Sequence, residues 1–80
     1  MSRTLTAYGD RLLVLVGDRL RGVRKRRKWT LEKLASRTGM SAAQISRMEC
    51  GKVGPSLLTL LEYSQVFGVS LKQLVPSVRE

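Results

Sequence analysis

Helix-start signals recur at short intervals through most of this chain and restrict it to a series of short helices. A hydroxyl residue suited to cap a helix precedes an apolar periodic segment four times. These residues are Thr30, Ser41, Ser56 and Ser70. Gln follows three residues after Ser41 and after Ser70, which is the spacing of a capping box. Gly39, Gly68 and Pro76 provide the predicted helix ends.

The segment before these signals carries an apolar stripe at helical spacing. Its members are Leu13, Val16, Leu20 and Val23. Residues 12–16 are apolar throughout, so they could also form a short buried strand. A second stripe favours a helix that begins near Tyr8. This stripe consists of Tyr8, Leu12 and Leu15. We expect the side chains of this second stripe to be buried, either against the rest of the domain or against a partner subunit.

The same periodicity places a stripe of mostly apolar residues on each of the later helices. They are Leu31, Leu34 and Ala35 in the second helix, Ile45 and Met48 in the third, Leu57, Leu60, Leu61, Ser64 and Phe67 in the fourth, and Leu74 and Val75 in the fifth. No segment requires a strand. The predicted fold class is therefore all-α with five helices.

Composition narrows the function. The 80 residues include no His and one Cys, Cys50, which argues against histidine-based catalysis, intramolecular disulfides and ordinary zinc sites. We therefore expect no enzymatic activity, no cofactor and no metal. The longest apolar run has five residues, whereas a membrane span needs about 20, so we expect a cytoplasmic protein. A net charge of +9 favours a polyanionic partner, most often nucleic acid.

Two of the predicted helices have the spacing of a helix-turn-helix. Ala35 is small enough for the helix crossing, and Gly39 is predicted to supply a positive φ in the turn. Met40, Ile45 and Met48 would anchor the second helix of the pair on the core. Its outer face would then present Ala42, Ala43, Ser46 and Arg47.

At these residues the chain resembles the phage repressor and Cro-like helix-turn-helix regulators, and it is similar to the small controller proteins of restriction–modification systems. The matching stretches are residues 16–21 (VGDRLR), 29–35 (WTLEKLA), 39–41 (GMS), 45–49 (ISRME), 51–52 (GK), 55–57 (PSL) and 67–71 (FGVSL). The resemblance implies a five-helix, lambda-repressor-like DNA-binding domain over residues 16–80. Residues 1–15 would form a helical N-terminal extension.

The resemblance also implies which residues contact DNA. They are Thr30, Ser41, Ala42, Ala43, Gln44, Ser46, Arg47 and Lys52. Arg47 is the candidate for reading a base, because a guanidinium can bond both acceptors of guanine, although it could equally contact a phosphate or solvent. Ala42 and Ala43 either favour the helix or contact thymine methyl groups, and Gln44 either completes the cap or reaches the sugar–phosphate backbone. The family often has Gln at the position of Leu31, where it helps to hold a phosphate.

Other residues have structural roles by the same resemblance. Arg24 and Glu49 match an ion pair that joins the first helix to the third. The positive electrostatic field near the DNA backbone would instead be increased by Arg26, Arg27 and Lys28. Trp29 would belong to the core. Cys50 is most simply a small apolar residue, with a redox sensor as the alternative.

These expectations combine into a transcription regulator that binds an operator in double-stranded DNA as a homodimer and needs no small-molecule ligand. The operator would be pseudo-palindromic, with the recognition helix, residues 41–49, in the major groove. Candidate dimer residues are Leu58, Leu61, Leu71, Val75 and Val78. The stripe at Tyr8, Leu12 and Leu15 is a competing dimer surface. Such a regulator would be bacterial or phage-encoded and associated with the nucleoid.

Two other functions remain open at this point. One is an antitoxin-like or anti-repressor-target protein that chiefly binds a partner protein. The other is a peripheral membrane protein that uses the basic first helix. The helix-turn-helix spacing around Gly39 argues against the membrane hypothesis.

Overall fold

The computed structural model describes the backbone of residues 3–76 and the side chains of residues 9–76, and this part of the chain forms five helices and no strand. The helices are α1 (Arg3–Arg26), α2 (Leu31–Arg37), α3 (Ala42–Glu49), α4 (Leu57–Phe67) and α5 (Leu71–Leu74). The all-α prediction is therefore confirmed. The strand alternative for residues 12–16 is wrong, because they lie inside α1, which begins five residues before Tyr8. In the described ranges, no helix combines the length and the apolar character needed to cross a membrane.

Hydroxyl residues cap three of the helices. Thr30 and Ser56 accept hydrogen bonds from backbone N–H groups three residues later, at 3.0 and 3.1 Å. The Ser41–Gln44 box is complete, because Ser41 Oγ accepts from the Gln44 N–H and Gln44 Oε1 accepts from the Ser41 N–H. These bonds satisfy N–H groups that have no partner within their own helix. The starts of α2, α3 and α4 are thus fixed by their own local sequences.

The turn between α2 and α3 differs from the prediction. Gly39 does not have a positive φ, and the space around its Cα is open. Thr38 instead ends α2 with extended backbone, φ −129° and ψ 175°. Its hydroxyl donates to the Leu34 carbonyl at 3.1 Å and accepts from the Met40 N–H at 3.3 Å. A threonine side chain therefore holds a turn that was assigned to glycine flexibility.

Left-handed backbone ends three other helices. Lys28, Gly51 and Gly68 have φ values of 59°, 75° and 64°. In each case the backbone N–H of the next residue donates a hydrogen bond to the carbonyl five residues before it, as in a Schellman motif. Lys28 carries a side chain in a conformation that costs about 1–2 kcal/mol for residues other than glycine. The end of α1 is consequently a strained position.

All five helices contribute to one core. Its buried apolar members are Leu20, Val23, Leu34, Ile45, Met48, Tyr63, Phe67 and Leu74. On α4 the inward stripe runs through Leu60, Tyr63 and Phe67, and Tyr63 is a core residue outside the predicted stripe. Leu57 and Leu61 are 64% and 40% exposed. Val75 follows the end of α5 and is also exposed.

One glycine sets the distance between α1 and α3. A Cβ at Gly17 would lie 2.6 Å from the Met48 carbonyl oxygen and 2.7 Å from that of Glu49. Both contacts are too short for real atoms, so the close approach requires glycine. Through this contact α1 directly supports the C-terminal end of α3.

Candidate nucleic-acid interface

Helix α3 has one buried face and one solvent-facing face. Ile45, Met48 and Glu49 are buried against the rest of the domain. On the other side the side chains of Ala43, Gln44 and Arg47 are exposed, and those of Ala42 and Ser46 are half-buried. The sequence-predicted contact residues of this helix therefore share one accessible surface. An α-helix presented in this way fits the width of the DNA major groove, about 12 Å.

The N-terminus of α3 lies at the edge of that surface. Ser41 is exposed, and its hydroxyl and backbone N–H are both engaged by Gln44. Because Gln44 Oε1 accepts the Ser41 N–H, its amide nitrogen is the group that can donate to an outside acceptor. The two roles weighed for Gln44, capping and backbone contact, are thus compatible in one conformation.

Arg47 borders an open groove of about 450 Å³ between α3 and the start of α4. Gln44 lines the same groove, together with Ser56 and Thr59 from the α4 N-terminus. The carbonyl of Arg47 accepts the N–H of Lys52 at 2.9 Å, which fixes the exposed Lys52 just past the end of the helix. Two cations thus lie at the C-terminal end of α3, one on the helix and one on the following loop.

The start of α2 provides a second set of groups. Thr30 is exposed as the N-cap of α2. Leu31, where the family often has Gln, is half-buried and packs on the core. This leucine cannot donate a hydrogen bond to a phosphate, so the hydroxyl of Thr30 and the first N–H groups of α2 are the polar groups at this end.

A buried ion pair ties α3 to α1. Arg24 Nε donates to Glu49 Oε2 at 2.9 Å, and Arg24 Nη2 donates to Glu49 Oε1 at 2.8 Å. Arg24 Nη1 donates to the Trp29 carbonyl at 2.7 Å, so the guanidinium also fixes the chain after α1. Arg24 and Glu49 are only 7% and 5% exposed. The hydrogen bonds to Glu49 raise the pKa of Arg24, although burial opposes the shift.

Tyr63 completes this cluster from α4. Its hydroxyl donates to Glu49 Oε2 at 3.4 Å, and its ring packs on Phe67 with centroids 5.6 Å apart. Burial raises the pKa of the Tyr63 phenol, and the neighbouring carboxylate of Glu49 raises it further. The i, i+4 spacing to Phe67 could have revealed Tyr63 as a core residue. Nothing in the sequence shows its bond to Glu49.

The basic cluster at the end of α1 is not uniform. Arg27 Nη2 donates to the Phe67 carbonyl at 2.6 Å, and its guanidinium lies 5.8 Å from the centre of the Phe67 ring. Arg27 thus joins the ends of α1 and α4, a structural role that the sequence does not indicate, while its exposed charge still adds to the positive field. Arg26 and Lys28 are exposed. Trp29 packs against Phe67 with centroids 5.1 Å apart, which places it beside the core as expected.

Among the candidate dimer residues, Leu58 and Leu61 lie on α4, Leu71 lies on α5 and Val75 follows α5. Leu58, Leu61 and Val75 are 73%, 40% and 40% exposed, whereas Leu71 is half-buried. Val78 lies outside the described residues. On the competing α1 stripe, Leu12 is half-buried and Leu15 is 49% exposed, and the side chain of Tyr8 lies outside the described residues.

Two remaining features bear on chemistry. Cys50 is exposed at the C-terminal end of α3. Among residues 9–76, no group of three or more His, Cys, Asp or Glu side chains is arranged to hold a metal ion.

Known proteins match this arrangement in sequence and in structure. The helix-turn-helix family model matches residues 20–74. Over 66 residues the chain is 35% identical to the HTH-type transcriptional regulator y4dJ of Sinorhizobium fredii, covering 82% of this chain and 86% of that protein. It is 38% identical over 60 residues to the HTH-type transcriptional repressor RghR of Bacillus subtilis, covering 74% of this chain and 44% of the repressor.

A solved structure gives the same fold. The restriction–modification controller protein C.AhdI of Aeromonas hydrophila superposes with a TM-score of 0.75 at 26% identity, over 81% of this chain and 94% of that one. The protein described here belongs to the helix-turn-helix family of DNA-binding transcription regulators.

Proposed function

We propose that the protein binds an operator in double-stranded DNA as a homodimer, with α3 lying in the major groove. The observation that carries this proposal is the two-sided character of α3. Ile45 and Met48 anchor it in the core, and the exposed side of the helix carries Gln44 and Arg47. A rigidly held helix with an accessible polar face is the element that reads base edges in this fold class.

Contacts to the DNA backbone would surround this helix. The exposed N-caps Thr30 and Ser41 start α2 and α3, and helix N-termini favour phosphate groups. Lys52 adds a cation at the opposite end of α3. The net charge of +9 gives the whole protein long-range attraction to a polyanion. These contacts would set the register and the orientation of the protein on the duplex.

Base reading would rest mainly on Arg47. It is the only residue of α3 with a long cationic side chain, and it is exposed. Ala42 and Ala43 offer methyl groups and no hydrogen bonds. They suit thymine methyl groups and make DNA shape a substantial part of recognition.

A dimer follows from this small reading surface. One helix reads only a few base pairs, and two copies on half-sites about 34 Å apart restore specificity. Leu58 and Leu61 are exposed apolar residues on α4, and Val75 follows α5. We propose that they form the dimer interface together with Leu71. The operator would then have the two-fold symmetry of the dimer.

The test separates specificity from affinity. Bound sequences are first selected from a random DNA pool, and Arg47→Ala and Lys52→Ala are then compared on the selected operator, its single-base variants and unrelated duplex. Arg47→Ala should lose about 1–3 kcal/mol on the operator and lose discrimination at one base pair of each half-site. Lys52→Ala should weaken all sequences by similar factors.

Folding and oligomeric state must match the unmodified protein in both variants. If Arg47→Ala weakens every sequence equally, Arg47 contacts phosphate and does not read a base. If no sequence is enriched from the pool, the proposal of a specific operator is wrong. Leu58→Glu provides the dimer test, because it should lower both the mass in solution and the operator affinity. An unchanged mass would place the dimer contact elsewhere.

A further inference from the structure

The middle of α1 has an outward face that is largely exposed in the described part of the chain, and only its Val14 edge approaches another element, at Gly51. Val14 and Leu15 are 48% and 49% exposed, and they line a shallow depression of about 370 Å³ together with Asp10 and Arg11. Asp18 is exposed one turn further along the helix. This α1 outer face, defined by Arg11, Val14, Leu15 and Asp18, is separate from the apolar residues of α4 and α5.

The four side chains share one side of the helix because of their spacing. Arg11 and Leu15 are four residues apart, as are Val14 and Asp18, and such pairs form ridges along an α-helix. Leu20 lies on the opposite side, in the core, and Gly17 lies on the flank next to Val14, where α1 approaches the end of α3. The apolar residues of the outer face are therefore not needed to close the core.

The charges on this face are self-complementary. Arg11 lies three residues before Val14, and Asp18 lies three residues after Leu15. When two copies of α1 run antiparallel about a two-fold axis beside Val14 and Leu15, each Arg11 comes opposite the Asp18 of the other copy. Within residues 9–76, neither Arg11 nor Asp18 has a hydrogen-bond or ion-pair partner.

We propose that the α1 outer face binds a second copy of this chain in that antiparallel arrangement. Val14 and Leu15 would form the apolar centre, and two Arg11–Asp18 pairs would flank it. Ridges at four-residue spacing pack at a crossing angle of about −50°, so the contact is confined to the middle of the helix.

A glycine on the same side is consistent with close helix approach. Gly22 lies one turn beyond Asp18, and a Cβ built there meets nothing within 4 Å. Glycine inside a helix is unfavourable relative to alanine, and packing within one copy gives no reason for it here. A neighbouring helix crossing nearby would give such a reason. The sequence Gly-Asp-Arg-Leu also occurs twice on α1, at residues 9–12 and 17–20.

The proposed contact is small and does not replace the α4–α5 dimer. A face of this size belongs with weak, transient interfaces. Because it is isologous and lies on a different element, it would join α4–α5 dimers into larger assemblies. The inference does not rest on the proposed DNA-binding function, since it concerns association without DNA.

The test exchanges the charges in a Leu58→Glu background, which is intended to remove association through α4 and α5. Sedimentation equilibrium is measured for Arg11→Glu, for Asp18→Lys, and for an equimolar mixture of the two. Each single variant places like charges opposite each other at both pairs, so association should weaken at least tenfold. The mixture restores opposite charges at both pairs and should associate about as strongly as the background protein.

Lys25→Glu is the matched control, because it changes the charge of an exposed α1 residue two turns beyond Asp18. It should leave association unchanged, and melting temperatures should show that every variant folds. A background protein that stays monomeric at several hundred micromolar would overturn the proposal. The proposal would also be overturned if neither single charge change weakened association. The same holds if the mixture associated no more strongly than its two components alone.

Discussion

Removing Arg24 tests the claim that a buried ion pair holds α3 in place. In Arg24→Ala, Glu49 keeps one side-chain partner among the described residues, the Tyr63 hydroxyl at 3.4 Å. Glu49 is 5% exposed, so water cannot replace the lost guanidinium. Breaking a buried pair from one side costs about 3–5 kcal/mol. For 80 residues the total free energy of unfolding is about 4–12 kcal/mol, so this loss is a large share.

Urea unfolding followed by circular dichroism measures this effect. Arg26→Ala is the matched control, because Arg26 is exposed on the same helix, and its change should stay within about 0.5 kcal/mol. Arg27→Ala should fall between the two, near 1 kcal/mol, because it removes the bond to the Phe67 carbonyl. If Arg24→Ala does not fold, Arg24→Lys keeps the charge without the bidentate geometry and should lose about 2 kcal/mol.

A double variant identifies the cause of the loss. Arg24→Ala/Glu49→Gln removes the stranded charge together with its partner, so it should recover part of the Arg24→Ala deficit. A double variant no more stable than Arg24→Ala would indicate lost packing and not a stranded charge. Equal urea midpoints for Arg24→Ala and Arg26→Ala would refute the reasoning altogether.

Three further predictions concern stability. Lys28→Gly should raise the free energy of unfolding by about 1 kcal/mol in urea titrations, because glycine relieves the left-handed strain. Gly17→Ala should lose about 1–3 kcal/mol in the same assay because its Cβ meets two carbonyl oxygens, whereas Gly22→Ala, with open space, should gain up to about 1 kcal/mol. The pKa of Tyr63 is raised above its ordinary value of about 10, so stability should fall as the pH rises above 10. Tyr63→Phe should reduce that fall in alkaline melting curves; an identical fall in both proteins would contradict it.

Local signals in the sequence predicted α2, α3 and α4 well, because each of these helices is started by its own residues. Thr30, Ser41 and Ser56 cap α2, α3 and α4 through bonds to N–H groups three residues away. Such bonds depend on a few neighbouring residues and little else. The left-handed Gly68 at the end of α4 is equally local. The prediction of a positive φ at Gly39 was wrong because the side chain of Thr38 holds the turn instead. Composition does not reveal which residue closes a turn.

Long-range contacts were harder to predict. Arg27 donates to the carbonyl of Phe67, 40 residues away, and a sequence shows only that Arg27 belongs to a basic cluster. Tyr63 was missed because Leu61 and Ser64 offered a competing stripe on the same helix. The Arg24–Glu49 contact was expected only from family resemblance. Charge patterning alone gives no reason to separate Arg24 from its basic neighbours.

The position of α3 depends on three different kinds of contact, and this explains how a small domain can hold this helix rigidly. Gly17 lets α1 approach the C-terminal end of α3 closely, Ile45 and Met48 anchor it in the core, and Glu49 fixes its rotation through Arg24. Arg47 lies only two residues from Glu49, so any rotation that moved Arg47 would also break the buried pair. Burial of the ion pair therefore makes it costly to change the side of α3 from which Arg47 projects. On the proposed function, the ion pair contributes to specificity without touching DNA.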